Sequence, residues 1–213
     1  MTALTLATAA SAQYYPGHRS GSHTRHATPY DDTYGGLRVG LNVTTVNSDS
    51  PILDGNQAKT GLNVGVALGT RLTHYTPLYV ESGLYYTQKG GKSEVGGEKF
   101  TYNLDYLELP IVFKYKGDLG GGAVIEPFVG GYVACGVGGK IKDYNHRAAY
   151  SSFSDDYDDN FNRFDGGLRI GCGLSYDMLY VEAAYDAGLA NVGKDAFDDT
   201  HTGAFNLTVG INF

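Results

Sequence analysis

From Tyr34 onward the chain alternates apolar and polar or small residues with a period of two. Leu37, Val39, Leu41 and Val43 are interleaved with Arg38, Gly40, Asn42 and Thr44. The same alternation runs through Leu62–Leu68, Leu78–Tyr86, Leu107–Tyr115, Val129–Val137, Leu168–Leu174, Leu179–Tyr185 and Phe205–Phe213. A two-residue period puts the two sets on opposite faces of a strand, so eight strands are predicted. Each is long enough to cross a bilayer when tilted. The connections alternate in length. They run long (about 47–59), short (73–77), long (90–99), short (117–123), very long (143–160), very short (177–178) and long (191–200). Short turns at one end and long loops at the other describe an up-and-down antiparallel meander with both ends of the chain on the short-turn side.

The second face decides what the apolar face meets. It is crowded with Gly65, Gly69, Gly83, Gly130, Gly136, Gly138, Gly171, Gly173 and Gly210. A soluble sandwich would bury its apolar face and show water a face rich in Lys, Glu and Thr. Small residues instead suit the narrow interior of an eight-stranded barrel, which has room only for side chains. The predicted fold is therefore all-β, an eight-stranded antiparallel transmembrane β-barrel with apolar residues outward. A soluble lipocalin-like barrel, with the faces reversed, is the rival architecture.

Composition narrows the classes further. The 213 residues include 31 glycines, about twice the usual share of about 7%, with 18 tyrosines and no tryptophan. A membrane-spanning helix needs about 20 consecutive apolar residues, and the longest strongly apolar run is Leu109–Phe113. Sixteen basic against 23 acidic residues give a net charge of −7, which argues against a nucleic-acid partner. Two cysteines make neither a disulfide framework nor a four-cysteine zinc site.

The segment before Tyr34 reads as targeting sequence. Leu4–Ala10 is mildly apolar, and Ala10-Ser11-Ala12 is a small-x-small signal-peptidase pattern with cleavage before Gln13. Residues 1–12 are thus expected to be a signal peptide, either truncated or with its true start upstream, because no basic stretch precedes them. Residues 13–33 carry Pro, Gly, Ser and the irregularly spaced His18, His23 and His26. They are expected to form a disordered periplasmic lead-in without a metal site. The barrel is expected over 34–213. Export and the apolar outer face together place the protein in the bacterial outer membrane. Phe213 closes the last strand on its outward face and is expected to serve as the signal read by the barrel-assembly machinery.

Several stretches carry a family resemblance. Thr60–Gly90 (TGLNVGVALGTRLTHYTPLYVESGLYYTQKG) resembles the second hairpin of the PorT-like outer-membrane β-barrel family of Gram-negative bacteria. Tyr106–Tyr115 (YLELPIVFKY) resembles that family's most recognisable strand. Pro127–Val137, Asp165–Tyr176, Tyr185–Val192 and Gly210–Phe213 match its usual phrases. The resemblance covers about 34–213 and implies a small barrel of OmpA/OmpX type. It implies little about activity, although some PorT-like relatives assemble secretion or surface-transport systems.

The candidate chemistry is sparse. Arg38, Arg71, Glu81, Glu108, Lys114, Arg169, Glu182 and Asp186 fall on inward positions. Charges in a narrow lumen are costly unless paired, so an ion-pair network that plugs the barrel is expected, with an ion path as the alternative. The third long loop gathers Asp155, Asp156, Tyr157, Asp158 and Asp159, a candidate recognition tip. Counted from Asp156, Phe161 and Gly167 stand where an EF-hand calcium loop needs Gly and Glu. Cys135 and Cys172 fall nearly opposite each other if the intervening hairpin closes at Ile141, either as a cross-strand disulfide or as two small apolar residues. Tyr86, Tyr102, Tyr115, Tyr176 and Tyr185 are candidates for interfacial girdles. No outward histidine sits beside a matching serine and acid, so no enzyme is expected. No cofactor is called for. The expected partners are outer-membrane lipid, the assembly machinery during biogenesis and a protein at the extracellular loops, with the barrel itself monomeric. The expected role is structural or surface-interaction. The alternatives are an assembly component and a narrow pore.

Overall fold

The computed structural model describes residues 32–48, 57–95, 98–142, 149–153, 159–195 and 200–213. The signal peptide, most of the lead-in and Asp155, Asp156, Tyr157 and Asp158 lie outside the described residues. Eight long strands form the wall: β1 (Thr33–Ser48), β2 (Gln57–Arg71), β3 (Leu78–Val95), β4 (Glu98–Tyr115), β5 (Ala123–Gly138), β6 (Phe164–Tyr176), β7 (Leu179–Gly188) and β8 (Thr200–Asn212). Each pairs antiparallel with its neighbour in sequence. β8 pairs with β1 from Gly36↔Asn212 to Ser48↔Thr200, and Gly35 and Phe213 exchange backbone hydrogen bonds of 2.9 Å. The sheet is thereby closed, leaving no unpaired edge along the wall.

The tight turns sit at the end where β1 begins and β8 ends. Tyr176 pairs with Leu179 across Asp177–Met178, and Asp177 adopts the positive φ (52°) that a two-residue hairpin turn requires. The turn before β5 passes through Gly120, Gly121 and Gly122, all at positive φ. At the other end the strands overshoot. The β3–β4 ladder continues from Leu78↔Tyr115 up to Val95↔Glu98. A tilted crossing takes about 9–11 residues, so roughly seven residues of each strand stand clear of the bilayer. The periodicity predicts a loop from Gly90, whereas the structure carries the hairpin on past it. Beyond the hydrocarbon, outward positions need not be apolar, so Gln88 and Lys92 break the pattern without breaking the strand. Short strands decorate this end: Lys140–Lys142 lies on β4, Tyr150–Ser151 lies on it in turn, and Asp159–Phe161 pairs with Gly193–Asp195.

Side chains separate by parity. Leu37, Val39, Leu41 and Val43 on β1, Leu168, Ile170 and Leu174 on β6, and Phe205, Leu207 and Val209 on β8 all point outward and are exposed. The opposite face is buried and holds the charges. A soluble lipocalin-like barrel would show the reverse. The exposed apolar wall is stable only against lipid.

The inward glycines make room for rings. A β-carbon on Gly69 would meet the ring of Tyr34, one on Gly173 that of Tyr180, one on Gly65 that of Tyr85, and one on Gly136 that of Phe153. The chain's shared excess of glycine and tyrosine is thus one feature: bulky rings laid across bare backbone inside a narrow tube.

Candidate functional site

Among the described residues, ionisable side chains converge inside the barrel. Among the described residues, five cations (Arg38, Lys89, Lys114, Lys116, Arg169) and six carboxylates (Glu81, Glu108, Glu126, Asp165, Glu182, Asp186) are buried. Parity places them on one face of six strands, with Lys116 just past the end of β4, and closure of the sheet brings them together in stacked tiers.

The lowest tier, near the tight turns, centres on Lys114. Its amine donates to Glu81 (2.9 Å) and to the Tyr180 hydroxyl (2.7 Å), and lies 3.6 Å from Glu126. Tyr34 donates to the same Glu81 oxygen (2.6 Å), and Arg38 donates to Asn212 (2.6 Å) while lying over the Tyr180 ring. Lys116 stands 3.8 Å from Glu126 and above the Tyr34 ring, and Ser175 donates to Glu126. The middle tier is Arg169, whose guanidinium meets Glu108 (3.0 Å), Glu182 (3.1 Å) and Asp186 (3.2 Å). Asn206 donates to Asp186 (2.7 Å). In the upper tier Lys89 bridges Glu108 (3.2 Å) and Asp165 (2.9 Å), and Thr202 donates to Asp165 (2.9 Å).

An apolar cap closes the mouth above Lys89. Phe153, Phe161 and Val192, contributed by the loop segments, pack with Tyr102, Leu104, Tyr106, Tyr132 and Ile141. Tyr102 stacks on Phe161 at 5.4 Å, and Tyr106 meets Phe153 edge-on at 5.7 Å. Ion pairs line the tube beneath this apolar lid, and each buried charge has an oppositely charged partner. Tyr79, Tyr106, Tyr180, Lys114 and Glu108 each have under 2% of their surface accessible.

The structure brings seven of the eight expected lumen charges together. Arg71 is the exception: it sits part-exposed at the tight-turn mouth and donates to the His74 carbonyl (3.3 Å). Lys89, Lys116, Glu126 and Asp165 join the network unforeseen. Parity extended a few residues past the apolar runs would have found all four.

The cysteine pairing is corrected. Cys135 lies opposite Phe164, and Cys172 lies opposite Pro127. The two are eight residues out of step, roughly 26 Å along the strands, and both are free thiols on the exposed outer face. The error came from closing the hairpin too near Ile141, which in fact pairs with Tyr102 of β4. Tyr102 is likewise no girdle residue. Its parity matches Tyr106 and Glu108, and it is fully buried in the cap. Tyr115, Tyr176 and Tyr185 do stand exposed on the outer wall. Asp159 is described only through its backbone, which pairs with Asp195. Phe213 faces outward beside Gly35.

A closed barrel with an apolar exterior and a paired, charged interior defines an integral outer-membrane β-barrel protein. The family model for "Outer membrane protein beta-barrel domain" matches residues 34–193, and the chain belongs to that family. Among solved structures it is similar to a major outer membrane protein from Thermus thermophilus (14% identity, 85% of this chain and 99% of that one, TM-score 0.51). It is also similar to OprG from Pseudomonas aeruginosa (10% identity, 85% and 96%, TM-score 0.50) and to Ail, the attachment invasion locus protein of Yersinia pestis (15% identity, 86% and 100%, TM-score 0.46). At these identities the likeness to the first two speaks for the fold alone. No curated protein matches the sequence.

Proposed function

We propose that this protein is a non-conducting outer-membrane barrel whose working surface is its extracellular loop end, displayed for contact with another macromolecule. The observation that carries the reading is the doubly closed lumen, with three tiers of ion pairs beneath an aromatic cap. Among the described residues, ion pairs cross the tube from wall to wall, a packing that opposes the passage of a substrate or an ion. What it provides is a rigid stake in the membrane. The overshooting β3–β4 hairpin stands at its loop end, the end to which the acidic, aromatic sequence around Asp155–Asp159 also belongs. Aromatic residues among charges suit recognition of a protein surface. The reading is non-enzymatic.

A second reading keeps the PorT-like resemblance of Tyr106–Tyr115 and Asp165–Tyr176, under which the displayed end docks a secretion or surface-transport assembly. Crosslinked pull-down from envelopes separates the two readings, since an assembly component brings the same stoichiometric partner each time. Display itself is tested by cysteine labelling on intact cells in a Cys135→Ala, Cys172→Ala background. Gly96→Cys, between β3 and β4, should react with a membrane-impermeant maleimide. Tyr75→Cys, in a tight turn where the native side chain is 98% exposed, should react only after the outer membrane is permeabilised. The opposite result would invert the orientation and end the proposal.

A further inference from the structure

The outer wall carries a feature that neither the plugged lumen nor the displayed loops explain. The apolar exterior of β2, β3 and β4 ends at Leu62, Tyr86 and Leu107. The next outward positions on those strands are Thr60, Gln88 and Asp105, all polar. They mark the level where hydrocarbon gives way to headgroups. At that level a cleft of about 360 Å³ opens in the wall, lined by Lys59, Thr60, Gln88, Asp105, Lys140 and Lys142.

The charge here is the reverse of the rest of the molecule. The chain is net −7 and its lumen is nearly balanced, yet Lys59, Lys92, Lys140 and Lys142 gather around the cleft with Asp105 as the acid in its lining. Lys92 and Lys142 flank Thr101 from the two sides of β4, each one strand spacing away, so their stems lie about 10 Å apart. Lys59 is half-buried and has Asp105, Lys92 and Lys142 as its electrostatic neighbours. Lys140 and Lys142 are exposed in the cleft lining beside half-buried Lys59, and Lys92 and Lys142 both repel Lys59, an arrangement that an oxyanion relieves.

From this placement we propose that the cleft binds the phosphate-bearing headgroup of a glycolipid in the outer leaflet. The cleft lies where the apolar wall stops, and Thr60, Gln88 and Asp105 open it to the outer face, so a lipid whose chains lie against Leu62, Tyr86 and Leu107 brings its headgroup to the lysines. Cations clustered at a membrane surface attract anionic lipid additively, so three or four acting together select a phosphorylated lipid over a neutral one. The proposal rests on the extracellular assignment of the hairpin end.

The test uses the full chain in phosphatidylcholine nanodiscs, which leave both faces reachable. Discs are doped with lipid A or with dephosphorylated lipid A, or are left undoped with the same concentration of inorganic phosphate. Acetylation of individual lysines is followed by mass spectrometry. Lipid A should slow acetylation of Lys59 and Lys142 by about threefold or more, as expected for amines held in ion pairs at a membrane surface. Dephosphorylated lipid A and inorganic phosphate should not. A Lys59→Gln, Lys142→Gln chain should lose the protection of Lys92 and Lys140, while its heat-shifted electrophoretic band shows that it still folds. Equal protection by dephosphorylated lipid A would mean bilayer shielding alone. Equal protection by inorganic phosphate would mean a general anion site. Either result, or no protection at all, overturns the proposal. Nanodiscs have no inside or outside, so a failure here is distinct from a failure of the cell-labelling experiment, which reads orientation.

Discussion

At the scale of single residues the molecule depends on Arg169. One guanidinium meets Glu108, Glu182 and Asp186, each within 3.2 Å. Removing it leaves three carboxylates facing one another in a sealed space. Arg169→Met should therefore cost about 3–5 kcal/mol, read as a lower urea midpoint for the barrel refolded in lipid. The glycines are as exacting as the charges. Gly173→Val would drive a side chain into the Tyr180 ring, which in turn holds Lys114. Such overpacking typically costs about 1–3 kcal/mol. Adding Tyr180→Ala removes the clashing ring, so the double variant should lose less than the sum of the two singles. At this scale the sequence was readable as far as parity was followed. Arg38, Glu81, Lys114 and Arg169 fall inside clear apolar runs. Lys89, Lys116, Glu126 and Asp165 lie just beyond them, where the apolar partners that reveal the period have stopped. The cysteines were misplaced because the pairing of β5 with β6 depends on where a loop closes, and no local pattern encodes that.

At the scale of strands and hairpins two surfaces can be tested separately. The outward stripe meets lipid, so Ile170→Arg should destabilise by about 2–4 kcal/mol if it lies near the bilayer midplane, checked by the same urea titration. The cap is a local device. Phe153 and Phe161 cover Tyr102 and Tyr106 without touching the lower tiers. Replacing both with alanine should speed amide exchange over Tyr102–Tyr106 and leave Val112–Tyr115 unchanged, measured by hydrogen–deuterium exchange with mass spectrometry. Uniform acceleration would mean that the cap holds the whole barrel together. The eight strands were legible because bilayer and lumen impose opposite demands on alternate residues. Their upper ends were not, since above the membrane water meets the outer face and the alternation fades while the hydrogen-bond ladder continues.

At the scale of the whole molecule, average composition misleads. A chain that is only 42% hydrophobic looks soluble, but closure of the sheet turns most strand Leu, Val and Ile residues outward and gathers the buried charges inside. The family and the membrane follow from that inversion. The proposed non-conducting role rests on the ion-paired tiers and their cap. Single-channel recording of the refolded chain in a planar bilayer tests it directly. A plugged lumen gives a baseline without steady openings at neutral pH and moderate voltage. Sustained, reproducible conductance steps from chain whose barrel is shown to be intact by its heat-shifted band would contradict it.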